Sequence, residues 1–131
     1  MAKLVFVAVF SVIVAVCFGT RLIGAPRQMT ENDNGVQEAL RVAMYEYNKA
    51  SNDMYQSRPV RVHNATMQVV NGIKYDMFVD VKRTVCRKPV TDVKGCAFHD
   101  TPSLAETTVC HFVVLNRMWA SEITLEINEC N

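Results

Sequence analysis

One stretch limits the folds open to this chain more than any other. Val36, Ala39, Leu40, Ala43, Met44, Tyr47 and Ala50 recur at i, i+3, i+4, i+7, i+8, i+11 and i+14. That spacing gathers the apolar side chains on one side of an α-helix running from Gly35 to about Ser51. Asn34 suits the N-cap, and Gln37 three residues on completes a capping-box pattern. Gln37, Glu38, Arg41, Asn48 and Lys49 fall on the solvent side. A lone amphipathic helix must bury its stripe against something else, and everything after it reads as β. The expected fold class is therefore α+β: one long N-terminal helix packed on a twisted antiparallel sheet.

From Val60 to Val70 the apolar residues alternate, but the phase slips. Val60 and Val62 share one parity, whereas Ala65, Met67 and Val69 share the other. One extra residue near His63-Asn64 would restore a continuous inward face, so a β-bulge is expected there. It leaves Asn64 facing outward within Asn64-Ala65-Thr66, a glycosylation sequon whose occupancy the sequence does not decide. Gln68-Val69-Val70-Asn71-Gly72 then ends the strand in Asn-Gly, which favours the positive φ angles of a tight hairpin. On the returning strand Tyr75, Met77, Val79, Val81 and Val85 face inward, with Lys74, Asp76, Asp80, Lys82 and Thr84 outward. Residues 87–106 are turn-rich. Thr107–Asn116 and Glu122–Cys130 read as two further strands, the second with Ile123, Leu125 and Ile127 inward. Arg117-Met118-Trp119-Ala120-Ser121 joins them. The sheet has four strands, or five if the segment before the helix adds one.

The first 19 residues are set apart from this domain. Lys3 supplies a positive start, Leu4 to Val16 form an apolar run and small residues follow, the pattern of a secretory signal peptide. The run is short for a membrane span, which needs about 20 apolar residues. Cleavage is expected after Gly19, with Cys17 as the alternative, leaving 20–131 as one secreted, extracellular domain. The whole chain has 14 Lys+Arg against 13 Asp+Glu, and loss of Lys3 balances them. A balanced surface makes no electrostatic case for nucleic acid or an anionic membrane as partner.

Cys17 leaves with the signal or lies at its edge, so Cys86, Cys96, Cys110 and Cys130 form an even set in an oxidising compartment. Cys110 and Cys130 are equidistant from residue 120, the centre of the second hairpin. Cross-strand neighbours lie about 4.5–5.5 Å apart, within reach of a disulfide. Cys86 with Cys96 then closes a loop in the turn-rich stretch.

Catalysis finds no support. The histidines are His63, His99 and His111, and no Gly-x-Ser-x-Gly, His-Glu-x-x-His or glycine-rich phosphate loop occurs. Cys96-Ala97-Phe98-His99 has loosely metal-like spacing, but zinc would compete with the disulfides, and no metal or cofactor is expected. The pairs Lys82-Arg83 and Arg87-Lys88 read as a solvated strand end, with a heparin-type site as the alternative.

What remains is a set of apolar features with no internal task. Trp119 sits at a hairpin tip, either folded back on the sheet or offered to a partner, as tryptophan is at interface hot spots. Leu22-Ile23 before Gly24 is either a frayed tail or an arm that docks apolar anchors, pivoting on Gly24. Both hairpin tips and this arm can meet at one end of the sheet as a wedge.

Gln68-Val69-Val70-Asn71-Gly72 fits the Gln-x-Val-x-Gly signature of the cystatins. Leu22-Ile23-Gly24-Ala25-Pro26, the run Ala43 to Asp53 and Cys96-Ala97-Phe98-His99-Asp100 resemble the secreted, two-disulfide type 2 members. The resemblance covers the whole domain. It implies a reversible, tight-binding inhibitor of papain-like cysteine proteases such as cathepsins, and no enzyme. Leu22, Ile23 and Gly24 would occupy the unprimed pockets. Gln68, Val69, Val70, Asn71 and Gly72 would sit over the catalytic cysteine, with Met118 and Trp119 on the primed side. A Cβ at Gly72 would hold the two backbones apart. Met118 stands where the family usually has proline, and Asn71 where it usually has a small or apolar residue.

Ser51-Asn52-Asp53 resembles the loop by which some type 2 cystatins inhibit legumain, with Asn52 as bait. A helix-capping asparagine is the competing reading. The family also implies a monomer in which a strained Val70 would make the first hairpin a hinge for a domain-swapped dimer. The rival from another class is a cystatin-like binding or signalling module without inhibition.

Overall fold

The computed structural model describes residues 24–89 and 94–131. The expected signal peptide, Cys17, Leu22 and Ile23 lie outside them. The elements in chain order are β1 (Arg27–Gln28), α1 (Asn34–Ala50), β2 (Tyr55–Val70), β3 (Gly72–Arg87), β4 (Thr107–Arg117) and β5 (Glu122–Cys130). The strands form one antiparallel sheet in the order β1-β2-β3-β4-β5. The helix lies across it, as the stripe requires.

The cap is shifted by one residue from the sequence expectation. Asp33, not Asn34, is the N-cap, and its Oδ1 accepts from Gly35 N at 2.9 Å and Val36 N at 3.3 Å. A carboxylate there also complements the positive end of the helix dipole, which an asparagine amide does not. Gln37 donates its side-chain amide to the Glu31 carbonyl, so no capping box forms. Val36, Ala39, Leu40, Ala43 and Met44 are buried and Tyr47 is half-buried, but Ala50 is exposed. They pack on Ala65, Tyr75, Met77, Val79, Val81, Cys110, Phe112 and Val114. Tyr47 meets Phe112 edge-on, with ring centroids 6.2 Å apart. The helix must also come close to the sheet at its start, where a Cβ on Gly35 would lie 2.1 Å from the Tyr75 hydroxyl.

Asn48 is buried rather than solvent-facing. Its Nδ2 donates to Ser57 O at 2.9 Å and its Oδ1 accepts from Ser57 N at 2.7 Å. The amide acts as a strand partner for a residue on the open side of β2, satisfying two buried backbone groups at once.

The expected bulge is present between Val62 and Asn64, but β2 begins five residues earlier than its alternation suggested and carries two more irregularities, at Tyr55/Ser57 and Pro59/Arg61. Pro59 is tolerated because β1 pairs only with Thr66 and Met67, leaving β2 an edge where no N–H is needed. The extra residues move several side chains across the sheet. Val60 is exposed, Val85 is exposed and Thr84 is fully buried, the reverse of the expected phase. The Thr84 hydroxyl donates to Gln56 O at 2.7 Å, which makes its burial affordable. In β5 a shift between Val113 and Val114 pairs Ile127 with Val113 and Leu125 with Val114. Ile127 therefore faces away from the helix, while Ile123 and Leu125 pack on the core as expected.

Both disulfides form as expected, Cys86–Cys96 and Cys110–Cys130. The second joins directly opposed residues of β4 and β5. The first folds its loop back on β3, where Val85 N donates to Ala97 O at 2.9 Å.

Candidate functional site

The sheet brings three segments to one end. The first is the chain before β1. Gly24 N donates to Val69 O at 2.9 Å, and Gln68 Nε2 donates to Gly24 O at 3.0 Å. Gln68 thus has a task that its place in a motif did not disclose: it clamps the arm to the hairpin. A Cβ on Gly24 would meet Val69 Cβ at 3.6 Å, an ordinary contact.

The second segment is the β2–β3 tip. Val69 pairs with Ile73 and Val70 with Gly72, leaving Asn71 alone at the turn. A turn of the type Asn-Gly usually makes would have positive φ at both residues. Here the positive φ falls on Gly72, at +124°, and not on Asn71 or Val70. Val70 is an ordinary ladder residue, so no left-handed strain is stored in it. Val69 shares the inward parity of Ala65 and Met67 but is 49% exposed, because α1 begins at the level of Tyr75, Met67's partner, and does not reach it. Asn71 is exposed, and Gln68, Val70 and Gly72 are half-buried.

The third segment follows β4. Ile73 pairs with Asn116, so the two hairpin ends lie side by side. At Gly72 a Cβ would lie 2.7 Å from Asn116 O and 3.3 Å from Arg117 Cγ. That reason for glycine is internal to the protein and adds to the one expected from a partner's approach. Met118–Ala120 form one 3₁₀ turn, closed by Ser121 N donating to Met118 O at 3.2 Å. Ser121 takes the left-handed conformation, φ 49°. Met118 is 64% and Trp119 71% exposed, so the tryptophan is not folded back onto the sheet. Asn116 and Ser121 are the site residues that sequence reasoning missed. Neither carries a local signal, since one acts through a carbonyl and the other through its backbone angle.

Asn52 lies elsewhere, beyond the C-terminal end of α1, which is capped by Ser51 instead. Its neighbours are pinned. Asp53 N donates to Ser51 Oγ at 3.1 Å, Tyr55 N to Asp53 Oδ1 at 3.0 Å, and Lys88 Nζ to Ser51 O at 2.8 Å. Burial works against the Asp53 carboxylate, yet the Tyr55 N–H and the Arg83 guanidinium, with Lys88 nearby, outweigh it and hold its pKa below the ordinary carboxylate range. Asn52 itself is exposed and takes no part in these bonds.

The edge offers shape and apolar surface rather than reactive groups. The four described cysteines are all in disulfides. His63 pairs with Asp80 and His111 with Asp76, both away from the three tips. Among the described residues no cluster of His, Cys, Asp and Glu is arranged to hold a metal ion.

Comparison with known proteins agrees with this geometry. The profile of the Cystatin domain family matches residues 24–119. The chain is 50% identical over 111 residues to cystatin of Coturnix japonica, covering 85% of this chain and 96% of that one. It is 40% identical over 110 residues to human Cystatin-C, covering 84% and 75% respectively. Among solved structures, dimeric human cystatin F superposes with a TM-score of 0.78 at 28% identity, over 88% of this chain and 92% of the other.

Proposed function

This chain belongs to the cystatin family, in its two-disulfide type 2 branch, and on that premise we propose that it is a secreted, reversible inhibitor of papain-like cysteine proteases. The observation that carries this reading is the junction of the three tips. Gly24 is bonded to Val69 and Gln68, and Gly72 abuts Asn116. Gly24, the first hairpin and the second hairpin thus lie along one edge, suited to a cleft rather than to a flat surface.

Val69 supplies exposed apolar surface at the middle of the edge and Trp119 at its primed side. Leu22 and Ile23 would fill the unprimed pockets. A ladder paired up to Val70 and Gly72 loses little freedom on docking. No scissile carbonyl need reach the protease thiolate, so the enzyme is blocked and the inhibitor is not consumed. The monomer is the acting form, since a swap through the first hairpin would remove the middle of the edge.

Titrating papain with the oxidised protein tests this directly. Stoichiometric loss of activity, reversible on dilution, is expected. Full activity at a large molar excess would overturn the proposal in favour of a non-inhibitory binding module. Removing the residues up to Gly24 should raise the dissociation rate and leave the association rate nearly unchanged.

A second reading, legumain inhibition at Asn52, is favoured by one observation: an exposed asparagine held between pinned neighbours. Asn52→Lys should abolish inhibition of an asparagine-specific protease and spare that of papain. Equal inhibition of legumain by both forms would remove Asn52 from the site.

A further inference from the structure

Asn64-Ala65-Thr66 is the one Asn-x-Ser/Thr sequon in the chain. Ala65 and its partner Met77 are buried on the helix side. Alternation therefore sends Asn64, Thr66 and Phe78 to the opposite face. Asn64 pairs with Phe78 across β2 and β3, and Phe78 pairs with His111 across β3 and β4. The three residues form a row perpendicular to the strands.

The ring at the centre of that row has an unusual setting. Phe78 is 40% exposed, and its ring is stacked on His111 with centroids 4.4 Å apart and planes 3° from parallel. His111 is steadied in turn, with its Nε2 2.8 Å from Asp76 Oδ1. A ring stacked face-on against its β4 neighbour turns its other face toward its β2 neighbour, which is Asn64. An exposed aromatic face held upright beside a sequon asparagine matches the underside of a pyranose, whose C–H groups are attracted to the negative face of a π-system.

We propose that Asn64 is an N-glycosylation site whose first N-acetylglucosamine stacks on the free face of Phe78. In the modification the Asn64 Nδ2 attacks C1 of a lipid-pyrophosphate-linked oligosaccharide. The N–C1 bond forms, the C1–O bond to phosphate breaks with its electron pair leaving on the pyrophosphate, and Nδ2 gives up one proton. The sugar covers apolar surface at Phe78 that the fold leaves open. It also stays clear of the inhibitory edge, because Asn64 lies seven residues from the Asn71 tip, about 23 Å along the strand.

The test is to secrete the full chain from eukaryotic cells that stop at oligomannose glycans. Intact mass should drop by one glycan on peptide-N-glycosidase treatment, and Asn64→Gln should lack that glycan. An unmodified Asn64 would overturn the proposal. Trimming with an endoglycosidase that leaves one N-acetylglucosamine should leave Tm unchanged. Complete removal, or Asn64→Gln, should lower it by about 4 °C. In Phe78→Ala, which removes an exposed ring and whose fold is to be checked by circular dichroism, glycan removal should no longer change Tm. An equal loss with and without Phe78 would overturn the stacking. Papain inhibition serves as the independent reading, expected to be the same for all glycoforms.

Discussion

The two hairpin tips stand next to each other at the same end of the sheet, yet they are held in opposite ways. The first is fixed from outside itself. Its ladder is paired up to Val70 and Gly72, Gly24 is bonded to Val69, Gln68 reaches back to Gly24 O, and Gly72 rests on the carbonyl of Asn116. The second is shaped from within, by one 3₁₀ turn closed on the left-handed Ser121, with an ion pair of 3.7 Å between Arg117 and Glu122 at its base. Its two large side chains are mostly in solvent. The same edge therefore contains a strut, held by contacts from elsewhere in the chain, and a probe, shaped by its own turn.

The largest effect should come from breaking the strut. Gly72→Ala places a Cβ within 2.7 Å of a backbone oxygen and asks an L-residue to hold φ +124°. Together these should cost about 3 kcal/mol of stability and should weaken papain inhibition severely. Denaturant unfolding and inhibition are to be measured on the same sample. A stable Gly72→Ala that merely inhibits less would mean that the glycine serves the partner alone. For the same reason a bulky residue at 72 is a poor probe of the interface, since it displaces the second hairpin as well.

Trp119→Ala tests the other half of the comparison. Removing an exposed hot-spot candidate should cost about 2–4 kcal/mol of binding, roughly 30- to 1,000-fold in Kd. Stability should stay within about 0.5 kcal/mol of the parent. A large stability loss would show that the second tip is also a strut.

How much of this was legible beforehand depends on how local the cause is. The helix stripe, the bulge at His63, the outward Asn64 and both cystine pairs follow from spacing within one or two elements. The positions of the two hairpin tips, at 71–72 and 118–119, were legible as well, as a turn dipeptide and a tryptophan between strands. What escaped was set by neighbours distant in sequence. Asn48 reads as a surface amide until Ser57 is seen to need it. Thr84 reads as outward-facing until Gln56 offers a carbonyl. Ile127 keeps the parity of Leu125 in the sequence and loses it to a bulge in the ladder. Gly72 announced an unusual φ, but not the carbonyl against which it lies.

Gly24 gives an intermediate case. Its Cβ would make only an ordinary contact with Val69, so Gly24→Ala should leave Tm unchanged within about 2 °C. If the glycine serves the arm's pivot or its approach to the protease, inhibition should weaken about tenfold, or roughly 1.4 kcal/mol. Unchanged inhibition would assign the conformation of the arm to Gln68 and the Val69 hydrogen bond instead.

The smallest effect concerns the turn behind the tryptophan. Ser121 holds φ 49° and ψ 39° with a Cβ present, a conformation costing an L-residue about 1 kcal/mol. Glycine removes that cost but returns part of the gain through a freer unfolded chain. Ser121→Gly should therefore stabilise by only about 0.5 kcal/mol and leave inhibition intact, because the turn keeps its shape. Ser121→Val reverses the sign: a β-branched side chain fits the left-handed region poorly, so the turn should open, Tm should fall and papain should dissociate faster. If both variants matched the parent in Tm and dissociation rate, the probe would not be shaped by its own turn. The contrast between the two tips would then reduce to exposure alone.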